Sequence, residues 1–213
     1  MSRDRGRIAL IAAAAVLWFA AARFGGPGSS ADAALLAALH AEKMPSLAAA
    51  ARVVTELGGW IALTSAVAGA VIWLWLRQRR RDAFFLILVV AGARLAVEAQ
   101  KHIFARERPD VAHLVNVSSA AFPSGHATNS LVTFLVLAVL LSGARSAVGF
   151  AVALAACVGL SRVMLGVHWP SDVLGGWAFG LAWVLAARFI RDPRRLDAAK
   201  EIGWPGARSG RRR

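Results

Sequence analysis

The fold of this chain is decided by a stretch that reads SAVGFAVALAACVGLSRVMLGV (146–167), HWPSD (168–172) and VLGGWAFGLAWVLAARFI (173–190). The first and third pieces are apolar over lengths that suit helices crossing a hydrocarbon core about 30 Å thick. The piece between them is short and polar, and its Pro170 suits the first turn of a helix. The stretch therefore predicts two membrane helices joined by a tight polar turn.

Four more apolar segments precede this stretch. Together they predict an all-α integral membrane protein with six transmembrane helices. The predicted membrane domain covers residues 1–192, and a basic cytoplasmic tail follows at 193–213. The fourth segment is short for a span, so we expect it to extend back to Ser124 or to be enclosed by its neighbours. The six segments are 8–22, 53–76, 83–104, 128–141, 146–167 and 173–190.

The amino-terminal region has features of its own. Its first segment resembles a signal peptide, because arginines precede the apolar run and Ala20-Ala21-Ala22 follows it, so cleavage is the alternative to a retained helix. Residues 24–52 show helical spacing of leucines with a break at Pro45, which predicts an outer interfacial segment. The polar side chains of this segment are expected to be solvated rather than catalytic: Asp32, His40, Glu42 and Lys43.

Composition argues against two other classes of protein. Hydrophobic residues make up 58% of the 213 residues, which is more than a soluble core of this size needs. The net charge of +13 would suit a nucleic-acid-binding protein, but the basic residues punctuate apolar segments instead of lining one face, so no nucleic-acid partner is expected. The single cysteine, Cys157, cannot form an internal disulfide, and no pattern specifies an oligomeric state.

Loop charges predict the orientation. If six segments alternate, most basic residues fall on one side, which the positive-inside rule makes cytoplasmic together with both termini. The opposite side, outside a bacterial-type plasma membrane, receives residues 24–52, 105–125 and 168–172. The basic residues on the cytoplasmic side are Arg3, Arg5, Arg7, Arg77, Arg79, Arg80, Arg81, Arg145, Arg188, Arg191, Arg194, Arg195 and Arg211-Arg212-Arg213.

Pro123-Ser124-Gly125-His126 marks a helix start on the outer side. Ser124 can cap the helix, whose free N–H groups and dipole favour an anion, and Gly125 lets a bulky anion approach the backbone. His126 then lies in the first turn beside the anion. The alternative is an ordinary capped helix with a surface histidine.

Two further clusters fall on the same predicted side. Arg162 has a planar guanidinium suited to phosphate, although it could also extend to the membrane interface. His168 and Asp172 are one helical turn apart, so the carboxylate can orient the imidazole and leave Nε2 nucleophilic. Lys101 and Arg108-Pro109 lie where the positive-inside rule disfavours cations, and an anionic ligand would explain their position.

These residues together resemble the signature of the type 2 phosphatidic acid phosphatase (PAP2) superfamily, in its integral membrane lipid phosphatase branch. The resemblance rests on Lys101 with Arg108-Pro109, on Pro123–His126, and on Ser161-Arg162 with His168 and Asp172. It implies that His168 is the nucleophile and that Asp172 orients it. It also implies that His126 protonates the leaving oxygen and then activates water. It also implies a phosphate site that needs no metal or other cofactor, made by Lys101, Arg108, Ser124, Gly125 and Arg162.

The implied activity is hydrolysis of a lipid phosphate or diphosphate in the membrane through a phosphohistidine. Undecaprenyl diphosphate is favoured as substrate, followed by phosphatidylglycerol phosphate or phosphatidic acid. A lipid phosphotransferase using the same phosphohistidine is an alternative, and a non-catalytic phosphate-binding membrane protein is another. Arg94 and Glu98, four residues apart, are expected to form an ion pair, with a substrate role as the alternative.

Overall fold

The computed structural model describes residues 2–191, and all regular secondary structure in that range is helical. The all-α prediction is therefore confirmed, while the predicted tail at 193–213 lies outside the described range. A π-helical turn, Ala138–Ser142, continues the sixth helix. The eight α-helices are α1 (Ser2–Phe24), α2 (Ser30–Leu39), α3 (Pro45–Glu56), α4 (Trp60–Leu76), α5 (Arg80–Phe104), α6 (Gly125–Leu137), α7 (Arg145–Met164) and α8 (Pro170–Ile190).

Five stretches are long and apolar enough to cross a membrane. The sixth predicted crossing corresponds to α5, which has 25 residues but carries charged side chains near both ends. Its crossing, and with it the count of six, stays a prediction. The five stretches are Asp4–Phe24, Pro45–Leu76, Gly125–Ser142, Arg145–Met164 and Pro170–Ile190.

The second predicted segment, 53–76, is two helices rather than one. Helix α3 ends at Glu56, and α4 begins at Trp60 after Gly59 in an extended conformation. The adjacent glycines have no side chains to stabilise a continuous helix. A Cβ on Gly58 would lie 2.3 Å from Val158 Cγ1 and 3.2 Å from the His126 ring, so the glycine allows α7 and α6 to approach the break closely.

Helix α6 is the centre of the bundle and packs against α5, α7 and α8, while α1 packs along α8. Its fully buried face includes Val132 and Val136. The fourth segment thus starts directly after Ser124 and is enclosed by neighbours, as predicted. A Cβ on Gly176 of α8 would lie 2.9 Å from the Ser124 carbonyl oxygen and from Thr128 Oγ1. This close approach holds the starts of α6 and α8 together.

Residues 24–52 form most of α2 and α3, which cover the turn between α7 and α8. Leu36 of α2 packs with Val163 and Val173, and Ala51 of α3 packs with Leu165 and Val167. The helical spacing predicted for this region is confirmed. Its location at the outer interface stays a prediction.

Candidate active site

One cavity of about 380 Å³ brings the predicted clusters together at one end of the bundle. Its wall is formed by the four helices α4, α5, α6 and α7 and by the loops that precede α4, follow α5 and follow α7. Two predicted residues, Ser124 and Asp172, do not line the cavity and are fully buried behind it. The predicted residues that line it are Lys101, Arg108, Gly125, His126, Arg162 and His168.

His168 and Asp172 form the contact that their spacing predicts. The imidazole Nδ1 lies 3.3 Å from Asp172 Oδ2, which also accepts a hydrogen bond of 2.9 Å from the Trp169 backbone N–H. His168 is 2% exposed and Asp172 is fully buried. Burial, followed by the charges of Arg108 and Arg162, holds the pKa of His168 well below its usual value. A neutral imidazole with its Nδ1 proton directed at Asp172 carries a free lone pair on Nε2.

The three predicted phosphate-binding cations are held by neutral oxygens. Lys101 Nζ donates to Ser119 Oγ at 3.0 Å and to the Ala120 carbonyl oxygen. Arg108 Nε donates to the Ser119 carbonyl oxygen at 2.9 Å, and Arg162 Nη1 donates to Thr55 Oγ1 at 2.9 Å. None of the three forms an ion pair with a carboxylate among residues 2–191. Their positive charge is therefore available to an anion in the cavity.

Arg108 also reaches the imidazole directly. Its Nη1 lies 3.4 Å from His168 Nε2 and donates to the Val167 carbonyl oxygen. A phosphoryl group attached to that nitrogen would therefore lie beside a guanidinium. Arg162 Nε is buried without a hydrogen-bond partner in the described part of the chain, so a donor remains for a ligand.

Ser124 is the N-cap of α6, as predicted, because its Oγ accepts from the Ala127 N–H. Its own N–H donates to the Asp172 carbonyl oxygen at 3.0 Å. The motif serine thus ties the start of α6 to the start of α8. His126 follows in the first turn of α6 and lines the cavity together with His168.

Arg106, which sequence reasoning left without a role, is the second partner of Asp172. Its Nη1 donates to Asp172 Oδ1 at 2.8 Å, and its Nη2 donates to the Ala21 and Ala22 carbonyl oxygens at 2.9 and 2.7 Å. The guanidinium also lies 4.3 Å from the centre of the Phe122 ring. Asp172 is thus held between an imidazole and a guanidinium. The sequence offered one signal for a role of Arg106, namely that it is a further arginine in a loop predicted to lie outside, where cations are disfavoured.

Asp32 is buried, so its expected solvation is wrong. Only 4% of it is exposed. Its carboxylate accepts from the Gly26 N–H at 2.6 Å and from the Ser171 N–H at 2.8 Å, and the Ser171 hydroxyl also donates to it. Because Ser171 Oγ in turn accepts from Arg106 at 3.2 Å, a buried polar network connects the amino-terminal region to Asp172.

Arg94 and Glu98 line the same cavity but do not form the expected ion pair. Arg94 Nη1 instead donates to Thr64 Oγ1 on α4 at 2.9 Å. The neighbouring helix offers a hydrogen-bond acceptor that the spacing of two residues within α5 could not reveal.

The chain is similar to known proteins. The PAP2 superfamily model matches residues 82–195, which include all the motif positions described above. Phosphatidylglycerophosphatase B of Bacillus subtilis (strain 168) is 33% identical over 160 residues, covering 71% of this chain and 79% of that protein. Decaprenylphosphoryl-5-phosphoribose phosphatase of Mycobacterium tuberculosis (strain CDC 1551 / Oshkosh) is 37% identical over 147 residues, covering 64% and 76%.

A solved structure agrees with the fold. The crystal structure of the transmembrane PAP2 type phosphatidylglycerolphosphate phosphatase from Bacillus subtilis matches with a TM-score of 0.77 and 29% identity, over 87% of this chain and 96% of that one. The multi-pass helical architecture, the spacing of the motifs and these matches agree. The chain therefore belongs to the PAP2 superfamily, and its relatives are membrane lipid phosphatases.

Proposed function

We propose that the protein hydrolyses a lipid phosphate or diphosphate through a phosphohistidine on His168. The observation that carries this proposal is the buried imidazole, directed by Asp172 at Nδ1 and lying beside Arg108 at Nε2. An oriented base with a free lone pair next to fixed cations is suited to covalent capture of a phosphoryl group.

The first step breaks the bond between phosphorus and the leaving oxygen. His168 Nε2 attacks the phosphorus, its lone pair forms the N–P bond, and the electrons of the broken P–O bond go to the leaving oxygen. His126, protonated for this step, donates its proton to that oxygen. Lys101, Arg108 and Arg162 stabilise the charge on the phosphoryl oxygens, together with the N–H at the start of α6.

The second step regenerates the enzyme. His126, now neutral, takes a proton from a water molecule while the water oxygen attacks the phosphorus. The N–P bond breaks, its electrons return to Nε2, and inorganic phosphate is released. Asp172 stabilises the positive charge that the imidazole ring carries while the phosphoryl group is attached.

The site is proposed to face the extracytoplasmic side. The loop arginines support this orientation through the positive-inside rule, and both termini would then lie in the cytoplasm. A cavity at helix ends suits a lipid whose head group enters the site while its chains stay in the bilayer. Undecaprenyl diphosphate, phosphatidylglycerol phosphate and phosphatidic acid all satisfy that requirement.

Phosphate release is expected to be unchanged by EDTA, because the three cations provide the charge that divalent ions provide in many other phosphoryl-transfer enzymes. The measurement is free phosphate from the three lipids named above, each with purified protein in detergent and no added acceptor. Activity that EDTA removes and a divalent ion restores would contradict the metal-independent mechanism. Turnover that requires an acceptor alcohol would instead identify a phosphotransferase.

A further inference from the structure

A row of polar residues extends from the phosphate site along α5. Lys101, Glu98 and Arg94 are separated by three and then four residues, so they lie on one face of the helix. At 1.5 Å per residue, Glu98 is about 4.5 Å and Arg94 about 10 Å along the axis from Lys101. All three line the cavity that contains His126 and His168.

This row has hydrogen-bonding capacity that the protein itself does not use. Arg94 donates through Nη1 to Thr64 Oγ1, but its Nη2 is buried with no partner among residues 2–191. Glu98 is exposed and accepts no hydrogen bond within the same range, and its charge interacts favourably with that of Lys101. Across the cavity on α6, Asn129 Oδ1 is also buried and unpartnered.

A buried guanidinium nitrogen without a hydrogen-bond partner is costly, whereas the exposed carboxylate of Glu98 is open to the cavity. Opposite charges four residues apart on a helix normally approach one another, and the approach is worth more where water is scarce. Here the guanidinium of Arg94 bonds to Thr64 on α4, and the carboxylate of Glu98 interacts with the charge of Lys101 but accepts no hydrogen bond within residues 2–191. Groups held apart in this way, with donors and acceptors directed at one cavity, are suited to a polar ligand.

We propose that Arg94 and Glu98 form a second subsite that selects a particular head group. In it, Arg94 binds a phosphodiester and Glu98 accepts a hydrogen bond from a hydroxyl between that phosphodiester and the terminal phosphate. This inference rests on the proposed phosphatase function and specifies its substrate class: a lipid phosphomonoester joined through a hydroxylated spacer to a phosphodiester.

The proposal rests on the order of the charged side chains along α5. From the nucleophile outward the cavity presents a cation, a carboxylate and a second cation, at Lys101, Glu98 and Arg94. A head group such as that of phosphatidylglycerol phosphate presents a phosphate, a hydroxyl and a phosphodiester in the same order. A lipid diphosphate has its second phosphate next to the first, where Glu98 would repel it. The row therefore favours spaced phosphates over diphosphates.

The test compares three lipids in detergent micelles: phosphatidylglycerol phosphate, undecaprenyl diphosphate and phosphatidic acid. For Arg94→Gln, kcat/KM for phosphatidylglycerol phosphate is expected to fall about 10- to 100-fold relative to phosphatidic acid, the range for one lost charge-assisted hydrogen bond. For Glu98→Gln, kcat/KM for phosphatidylglycerol phosphate relative to phosphatidic acid should fall about tenfold. Undecaprenyl diphosphate should become a better substrate relative to phosphatidylglycerol phosphate.

Glu42→Gln is the matched control, since it removes an exposed carboxylate that lies outside this cavity. Ratios between two lipids on one preparation do not depend on how much of a variant is folded. If both variants keep the wild-type ratios to within about twofold, the second subsite is wrong while the phosphatase proposal stands. If the wild-type protein cleaves none of the three lipids, the phosphatase proposal itself fails.

Discussion

His168→Ala is expected to lower phosphate release by about 10⁴-fold or more, because the proposed covalent step has no other nucleophile at that position. The measurement is single-turnover release from the best lipid substrate, with the variant's fold checked by circular dichroism in detergent. The imidazole is 2% exposed, so a loss of stability is also expected from the space it leaves.

His102→Ala is the matched control for this prediction. His102 also lies near the end of α5, but it is exposed and does not line the cavity. Its variant should keep wild-type activity. Substantial turnover by folded His168→Ala protein would show that this side chain is not the nucleophile.

Asp172→Asn is expected to lower kcat by about 10³- to 10⁴-fold, by analogy with other carboxylates that orient a catalytic histidine. An amide cannot stabilise the positive ring, and it can turn its N–H₂ toward Nδ1 and favour the wrong tautomer. KM should change little, because Asp172 is fully buried and does not line the cavity.

The same substitution tests the role of Arg106. Removal of the charge at Asp172 leaves a nearly buried guanidinium without its counter-charge, and such a loss costs about 3–5 kcal/mol. The variant's melting temperature should therefore fall as well. If activity fell only in proportion to the folded fraction, with kcat per folded molecule unchanged, Asp172 would be a structural residue of the α8 start and nothing more.

Much of the site could be predicted because its chemistry depends on local spacing. The interval between His168 and Asp172 is one helical turn, and the structure shows the contact. Ser124 was predicted to cap a helix, and it does so at the start of α6. These relations depend on a few neighbouring residues, so the sequence is sufficient to show them.

The remaining features depend on contacts between distant parts of the chain. Arg106 meets Asp172 across 66 positions, and Asp32 meets Ser171 across 139. The expected pair of Arg94 and Glu98 failed because Thr64 on another helix competes for the guanidinium. No periodicity or motif within one segment contains this information.

The division of the second segment into α3 and α4 shows a different limit of prediction from hydropathy. Gly58-Gly59 was visible in the sequence, but the apolar residues on both sides predicted one continuous span. The glycine at the break matters because a side chain there would clash with Val158 of α7 and crowd the His126 ring. Hydropathy describes the solvent around a helix, but it does not show where the helix is interrupted.

The central claim is that a phosphoryl group passes through a covalent bond to His168. The direct measurement is rapid mixing with a substrate labelled at its terminal phosphate, followed by alkaline denaturation, which preserves phosphohistidine, and peptide mapping by mass spectrometry. The account predicts label on His168 of the wild-type protein and none in His168→Ala. Label on another residue, or steady phosphate release with no labelled protein at any time point, would contradict it.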